Sequence, residues 1–206
     1  MQGAWQGLSR TRGCSVHKSF NRMLTAHGCF GLNVERNVGY NIMGHGMFIE
    51  DGIEQLNVYR ENVVIMIHRS FSLLNTDQTP ACFWITNANN RFIGNRAAGS
   101  HTFGFWYDPP ASPTGPSADM ALGPLGTSLN MNDWKDENDQ YKFCLYSTWN
   151  WVKTRNCKLL QFENNVAHSN GDAGIWIDHV DHTAAVLVRT WLRGKWVKKT
   201  VGRQTM

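Results

Sequence analysis

The stretch Val34-Glu35-Arg36-Asn37-Val38-Gly39-Tyr40-Asn41-Ile42-Met43-Gly44-His45-Gly46-Met47-Phe48-Ile49 decides the fold, because its plan recurs. An asparagine has an apolar residue three positions before it and a glycine nine positions after it. The glycine opens a run of large apolar residues. The same plan runs from Phe92 through Asn95 to Gly104-Phe105-Trp106-Tyr107, and from Phe162 through Asn165 to Gly174-Ile175-Trp176-Ile177. A partial copy, Leu56-Asn57-Val58-Tyr59-Arg60-Glu61-Asn62-Val63, places Asn62 25 residues after Asn37. Self-similarity at this period marks stacked coils, and short apolar runs between turn residues make the coils β rather than α. The expected fold is all-β: a right-handed parallel β-helix, a solenoid of PbH1-type repeats.

Composition agrees. The chain has 206 residues, enough for one domain with a core. Nineteen glycines and nine tryptophans suit tight turns between short aromatic-rich strands, and few segments carry helix formers at helical spacing. Every apolar run is far too short to cross a membrane as a helix, the first residues lack a signal-peptide apolar core, and no Asn-x-Ser/Thr acceptor occurs. Taken alone, this points to a cytosolic protein or an interior piece of a larger chain. The five cysteines form no CxxC pair, which argues against a zinc or redox motif; one or two disulfides and free buried thiols both remain open.

The formal charge of +4 is unevenly spread. Arg189, Arg193, Lys195, Lys198, Lys199 and Arg203 follow the last acid, Asp181. Such a tail is either a solvated end or a polyanion contact; no nucleic-acid motif accompanies it. The expected organisation is a lead-in over 1–11, coils over 12–117, an excursion over 118–157, a returning coil over 158–183 and a basic divergent tail over 184–206. Asp133, Asp136, Glu137 and Asp139 make the excursion acidic, and the prolines from Asp108 to Ser117 exclude regular structure there.

Beyond the repeat, several blocks resemble the β-helix region of the family of fibrocystin-L and the cell-migration-inducing hyaluronan-binding protein. They include Arg12-Gly13-Cys14-Ser15-Val16-His17 and Asn41-Ile42-Met43-Gly44-His45-Gly46-Met47-Phe48-Ile49-Glu50-Asp51-Gly52. Phe83-Trp84-Ile85-Thr86-Asn87-Ala88-Asn89-Asn90, Pro113-Thr114-Gly115-Pro116-Ser117 and Asn164-Asn165-Val166-Ala167-His168-Ser169-Asn170 continue it in the family's order. Ser72-Leu73-Leu74-Asn75 and Thr79-Pro80-Ala81 lean toward the fibrocystin-L branch. The resemblance implies an extracellular or cell-surface ectodomain whose parent carries G8 domains, so this chain is expected to be a fragment, reaching a membrane only through missing parts. The implied function is receptor or adhesion, with an extracellular glycan such as hyaluronan or a protein as ligand. The other branch implies a hyaluronan-depolymerising glycoside hydrolase.

The repeat also nominates chemistry. An acid lies thirteen residues after each of three repeat asparagines: Glu50, Asp108 and Asp178. In register they share one face, about 5 Å apart in neighbouring coils and about 10 Å in alternate ones, and carboxylate pairs at such separations serve glycoside hydrolysis. Strand-terminal acids also commonly face solvent. His45, with Glu50 and Asp51, is a candidate proton donor or acceptor, although Asp51-Gly52 is equally a turn pair. Trp84, Trp106 and Trp176 either stack on sugars from one face or fill the coil interior. A metal set of His45, Asp51 and His101 lacks ligand spacing, and calcium has no spacing to support it, so no cofactor is expected. The repeat asparagines are expected to form an internal ladder of stacked amides.

Overall fold

The computed structural model describes residues 9–72, 77–115, 154–157, 159–178 and the backbone of 197–199. Among the described residues five coils follow one another, each visiting three sheets in turn. The first contains β1 (Arg10–Arg12), β2 (Ser15–Ser19) and β3 (Leu24–Ala26); the second β4 (Asn33–Glu35), β5 (Val38–Met43) and β6 (Met47–Ile49). The third contains β7 (Val58–Arg60), β8 (Val63–His68) and β9 (Ala81–Ile85); the fourth β10 (Arg91–Ile93), β11 (Arg96–Ser100) and β12 (Phe103–Tyr107). The fifth contains β13 (Gln161–Glu163), β14 (Val166–His168) and β15 (Ala173–Ile177), and β16 (Val197–Lys199) pairs with β15. Sheet A runs β1-β4-β7-β10-β13, sheet B β2-β5-β8-β11-β14, and sheet C β3-β6-β9-β12-β15-β16. Every pairing is parallel. This is the parallel β-helix expected from the repeat. The first strand starts at Arg10, two residues ahead of the expected coil boundary.

The apolar residues three before each asparagine form one interior column: Val34, Tyr59, Phe92 and Phe162 are successive partners in sheet A. Tyr59 and Phe92 stack with centroids 4.9 Å apart. From sheet C, Phe83 and Phe105 stack at 4.6 Å, and Ile85 and Tyr107 lie beside them in the same core. The repeat glycines Gly46, just ahead of β6, and Gly104, the second residue of β12, sit where backbones close in. A Cβ at Gly46 would meet the Cys82 carbonyl, and one at Gly104 the Gly174 carbonyl. Only glycine fits such an approach.

Two asparagine ladders hold the corners. Between sheets A and B, Asn37 donates its side-chain N–H to Asn62 Oδ1 (3.1 Å), Asn62 to Asn95 (3.0 Å) and Asn95 to Asn165 (3.0 Å). Each Oδ1 also accepts the backbone N–H of the preceding rung, and Cys14 N–H closes the series on Asn37. Asn57 and Asn90 make a shorter ladder between sheets C and A. One residue before the first ladder, Gly13, Arg36, Glu61, Gly94 and Asn164 all have positive φ. A second such column, Lys18, Asn41, Met66, Gly99 and Ser169, runs through sheet B. The coils thus share left-handed residues at fixed places, seven of these ten not glycine.

Cys14, Cys29 and Cys82 are free thiols, whereas Cys157 is disulfide-bonded. Cys144, the acidic cluster at Asp133, Asp136, Glu137 and Asp139, and the side chains of the basic tail lie outside the described residues. So does most of the expected excursion, of which Thr154–Asn156 forms a 3-10 turn.

Candidate functional site

Sheet C turns one parity of its residues into the core and the other outward. Trp84, Trp106 and Trp176 take the outward parity, so they do not fill the coil interior. Thr25, Phe48, Trp84, Trp106 and Trp176 are partners in five successive coils. Parallel register therefore builds an aromatic row along the helix axis with rungs about 4.8 Å apart. Ring centroids are 5.7 Å apart for Phe48–Trp84 and 4.3 Å for Trp84–Trp106. Phe103 bridges Trp106 (4.6 Å) and Trp176 (5.5 Å). The three indoles are half-buried, leaving part of each ring on the surface. The Trp106 Nε1–H has no hydrogen-bond acceptor among the described residues. Arg22 covers Phe48, its guanidinium carbon 3.6 Å from the ring centroid, a cation–π contact that ends the row at the first coils.

The acids expected in register occupy equivalent places one step past the sheet C strands. The backbone ladder continues through Glu50 N–H to Ala26 O, Asp108 N–H to Ile85 O and Asp178 N–H to Tyr107 O. His27, Glu50, Thr86, Asp108 and Asp178 thus form a second row beside the aromatic one. Asp108 and Asp178 are in neighbouring coils; Thr86 separates Asp108 from Glu50.

Around Glu50 the side chains are tightly connected. His27 Nε2 lies 3.0 Å from Glu50 Oε2, and His27 Nδ1 lies 3.0 Å from the buried Asp51 Oδ1. A neutral imidazole donates only one of these two hydrogen bonds, a protonated one both. Arg22 donates to Glu50 (3.1 Å) and, through Nε and Nη2, to both oxygens of the buried Asp77 (2.9 and 2.8 Å). Glu54, also buried, accepts the Gly28 and Gly52 N–H groups, and burial holds its carboxyl above the usual carboxylate range. His27, Glu50 and Asp51 offer ligand atoms within 4.8 Å of one another. The imidazole already divides its two nitrogens between the two carboxylates, so the geometry is that of a hydrogen-bonded clasp.

His45 is placed elsewhere. It is buried, its Nδ1 accepts the Ala81 N–H (3.0 Å), and its Nε2 faces Asp77 at 3.7 Å. Burial pushes its pKa down to about 3, so it is a neutral acceptor inside the fold and not a partner of Glu50 and Asp51. β6 is the reason: an extended strand puts sequence neighbours His45 and Glu50 at opposite ends. His101 likewise lies apart, beside His68 on another face, with His68 Nδ1 and His101 Nε2 3.2 Å apart. Sequence reasoning missed Arg22, His27, Phe48 and Asp77. His27 and Phe48 were reachable by extending the rows one coil back. Arg22 and Asp77 lie on connections that follow no period.

Residues 3–80 and 72–175 match the family described as the CEMIP beta-helix. The chain is 39% identical to mouse fibrocystin-L over 85% of its length, a stretch covering 3% of that protein. It is 30% identical to human cell surface hyaluronidase CEMIP2 over 86% of its length, covering 12% of that relative. With human cell migration-inducing and hyaluronan-binding protein the identity is also 30%, over 86% of this chain and 13% of the relative. The chain therefore spans a small part of each. No helix among the described residues is long and apolar enough to cross a membrane.

Proposed function

The chain belongs to the CEMIP beta-helix family, and from that premise we propose that it is a β-helix segment of an extracellular, fibrocystin-L-like receptor or adhesion protein that binds carbohydrate on the outer face of sheet C. The in-register row of the half-buried Trp84, Trp106 and Trp176 carries the reading. The apolar faces of sugar rings stack on indoles, and a row along the axis offers a linear glycan successive platforms. The adjacent Arg22 and Glu50 add a guanidinium and a carboxylate at the end of the row. The disulfide at Cys157 suits an oxidising compartment. The binding reading requires no cofactor.

Hyaluronan oligosaccharides and uncharged oligosaccharides of similar length, titrated against the folded chain, test it. Trp106→Ala and Trp84→Ala should each weaken the best ligand about tenfold, roughly 1.4 kcal/mol. Glycan affinity unchanged in both variants would remove sheet C from the account.

The neighbouring acids Asp108 and Asp178, with relatives named as hyaluronidases, favour one alternative: part of a hyaluronan-depolymerising site. The chain-length distribution of labelled hyaluronan separates the two. Shortening abolished by Asp108→Asn/Asp178→Asn or by Glu50→Gln/Asp51→Asn supports the enzyme. Unchanged length in wild type leaves binding alone.

A further inference from the structure

Sheet B carries a surface that the glycan reading does not use. Its outward positions expose Val38 (40%), Tyr40 (42%) and Met66 (38%), with Val63 and Ile65 half-buried between them. Tyr40 and Ile65 are register partners, as are Val38 and Val63, so the side chains form one continuous patch. Phe20 (86%) and Phe71 (72%) stand exposed where the chain leaves this sheet. Contiguous exposed apolar surface of this kind marks interaction sites in soluble domains.

The charge around the patch is one-sided. None of the five strands of sheet B contains an acid. Lys18 and Arg96 lie on them, and Arg69 follows β8; all three are exposed. His17 and His168 are exposed on the first and last strands. At the A–B corner Glu61 is held by Arg36 at 2.7 Å and Glu35 faces Arg60 at 3.9 Å, while Glu163 is exposed at the last coil.

We propose that the outer face of sheet B is a docking surface for a partner protein whose contact patch has an apolar centre and a margin of Asp and Glu. Val38, Val63, Ile65 and Met66 surround the single ring of Tyr40 with aliphatic surface, which matches protein side chains and lacks the row of ring platforms that sheet C presents. The basic margin selects an acidic surround by charge complementarity. The same margin opposes a second copy of this chain, because face-to-face packing would bring like charges together.

Two short synthetic peptides with one apolar pattern, flanked in one case by glutamates and in the other by lysines, serve as probes in fluorescence anisotropy at low salt. The glutamate peptide should bind at least about tenfold tighter. Tyr40→Ser/Met66→Ser should abolish that binding, and Lys18→Glu/Arg69→Glu should reverse the preference. These side chains are at the surface, so circular dichroism and the melting curve of each variant should match wild type. Equal affinity for both peptides, no binding of either, or binding indifferent to both pairs of substitutions overturns the proposal. So does dimerisation of the chain that Tyr40→Ser/Met66→Ser abolishes. A sulfated glycan that competes with the glutamate peptide and survives Tyr40→Ser/Met66→Ser would overturn it in favour of simple polyanion binding.

Discussion

His45 shows how a single side chain is assigned by its surroundings. Its neighbours in sequence suggest proton chemistry, but five residue steps of nearly extended chain carry it away from Glu50, on the order of 15 Å. Its neighbours in space make it a buried acceptor for Ala81 N–H, packed against Phe48 and Trp84 with centroids at 5.0 and 4.6 Å. The folded state holds the ring neutral, with its pKa lowered from 6.5 to about 3, while the unfolded chain protonates it near 6.5. The folded state therefore binds fewer protons, and stability falls as pH drops through the window from 6.5 toward 3. The slope from this residue is up to about 1.4 kcal/mol per pH unit. Urea unfolding at pH 7.5 and pH 5 should show the loss, and His45→Gln, which retains an acceptor, should shrink it. Equal losses in both proteins would mean that His45 titrates normally in the fold.

At the scale of elements, the corner ladders fix the register that the rows depend on. Asn62 accepts the Asn37 N–H groups and donates to Val34 O and Asn95 Oδ1, all buried. Asn62→Ala leaves several of these groups without partners and should cost about 2–4 kcal/mol, read as a lowered urea midpoint with unchanged slope. A second fastening is Asp77, which pins the connection between β8 and β9 to the second and first coils through His45 N–H and Arg22. Asp77→Ala removes a buried partner of an Arg pair that is slightly exposed on its other side, and should cost about 3 kcal/mol in the same assay. The asparagine ladder was legible because one residue type repeats at one place. The two left-handed columns were not: Arg36, Glu61, Lys18 and Met66 have no shared chemistry, and only the backbone reveals that they do the same job. Trp84, Trp106 and Trp176 were legible as a set but not as a face. Phe83, Phe105 and Tyr107 stand beside them at the other parity, and alternating aromatics do not say which parity points inward.

Across the whole molecule, the coils differ in length far more than in register. Successive ladder asparagines are 25, 33 and 70 residues apart, yet each pairs with the next. The extra residues fall between β8 and β9 and between β12 and β13, outside the strands, because an insertion within a strand would turn its inward residues out. Constant register is what converts a weak repeat into surfaces: aromatic on sheet C with an acidic margin, aliphatic on sheet B with a basic one. The two faces are therefore expected to act independently, and substitutions of Tyr40 or Met66 should leave glycan affinity unchanged. The most direct test of the central claim, that sheet C is the carbohydrate face, is acrylamide quenching of tryptophan fluorescence with and without saturating oligosaccharide. Protection on binding that disappears in Trp84→Ala/Trp106→Ala/Trp176→Ala is the result the row predicts. Saturable oligosaccharide binding, measured calorimetrically, with no change in quenching would contradict it.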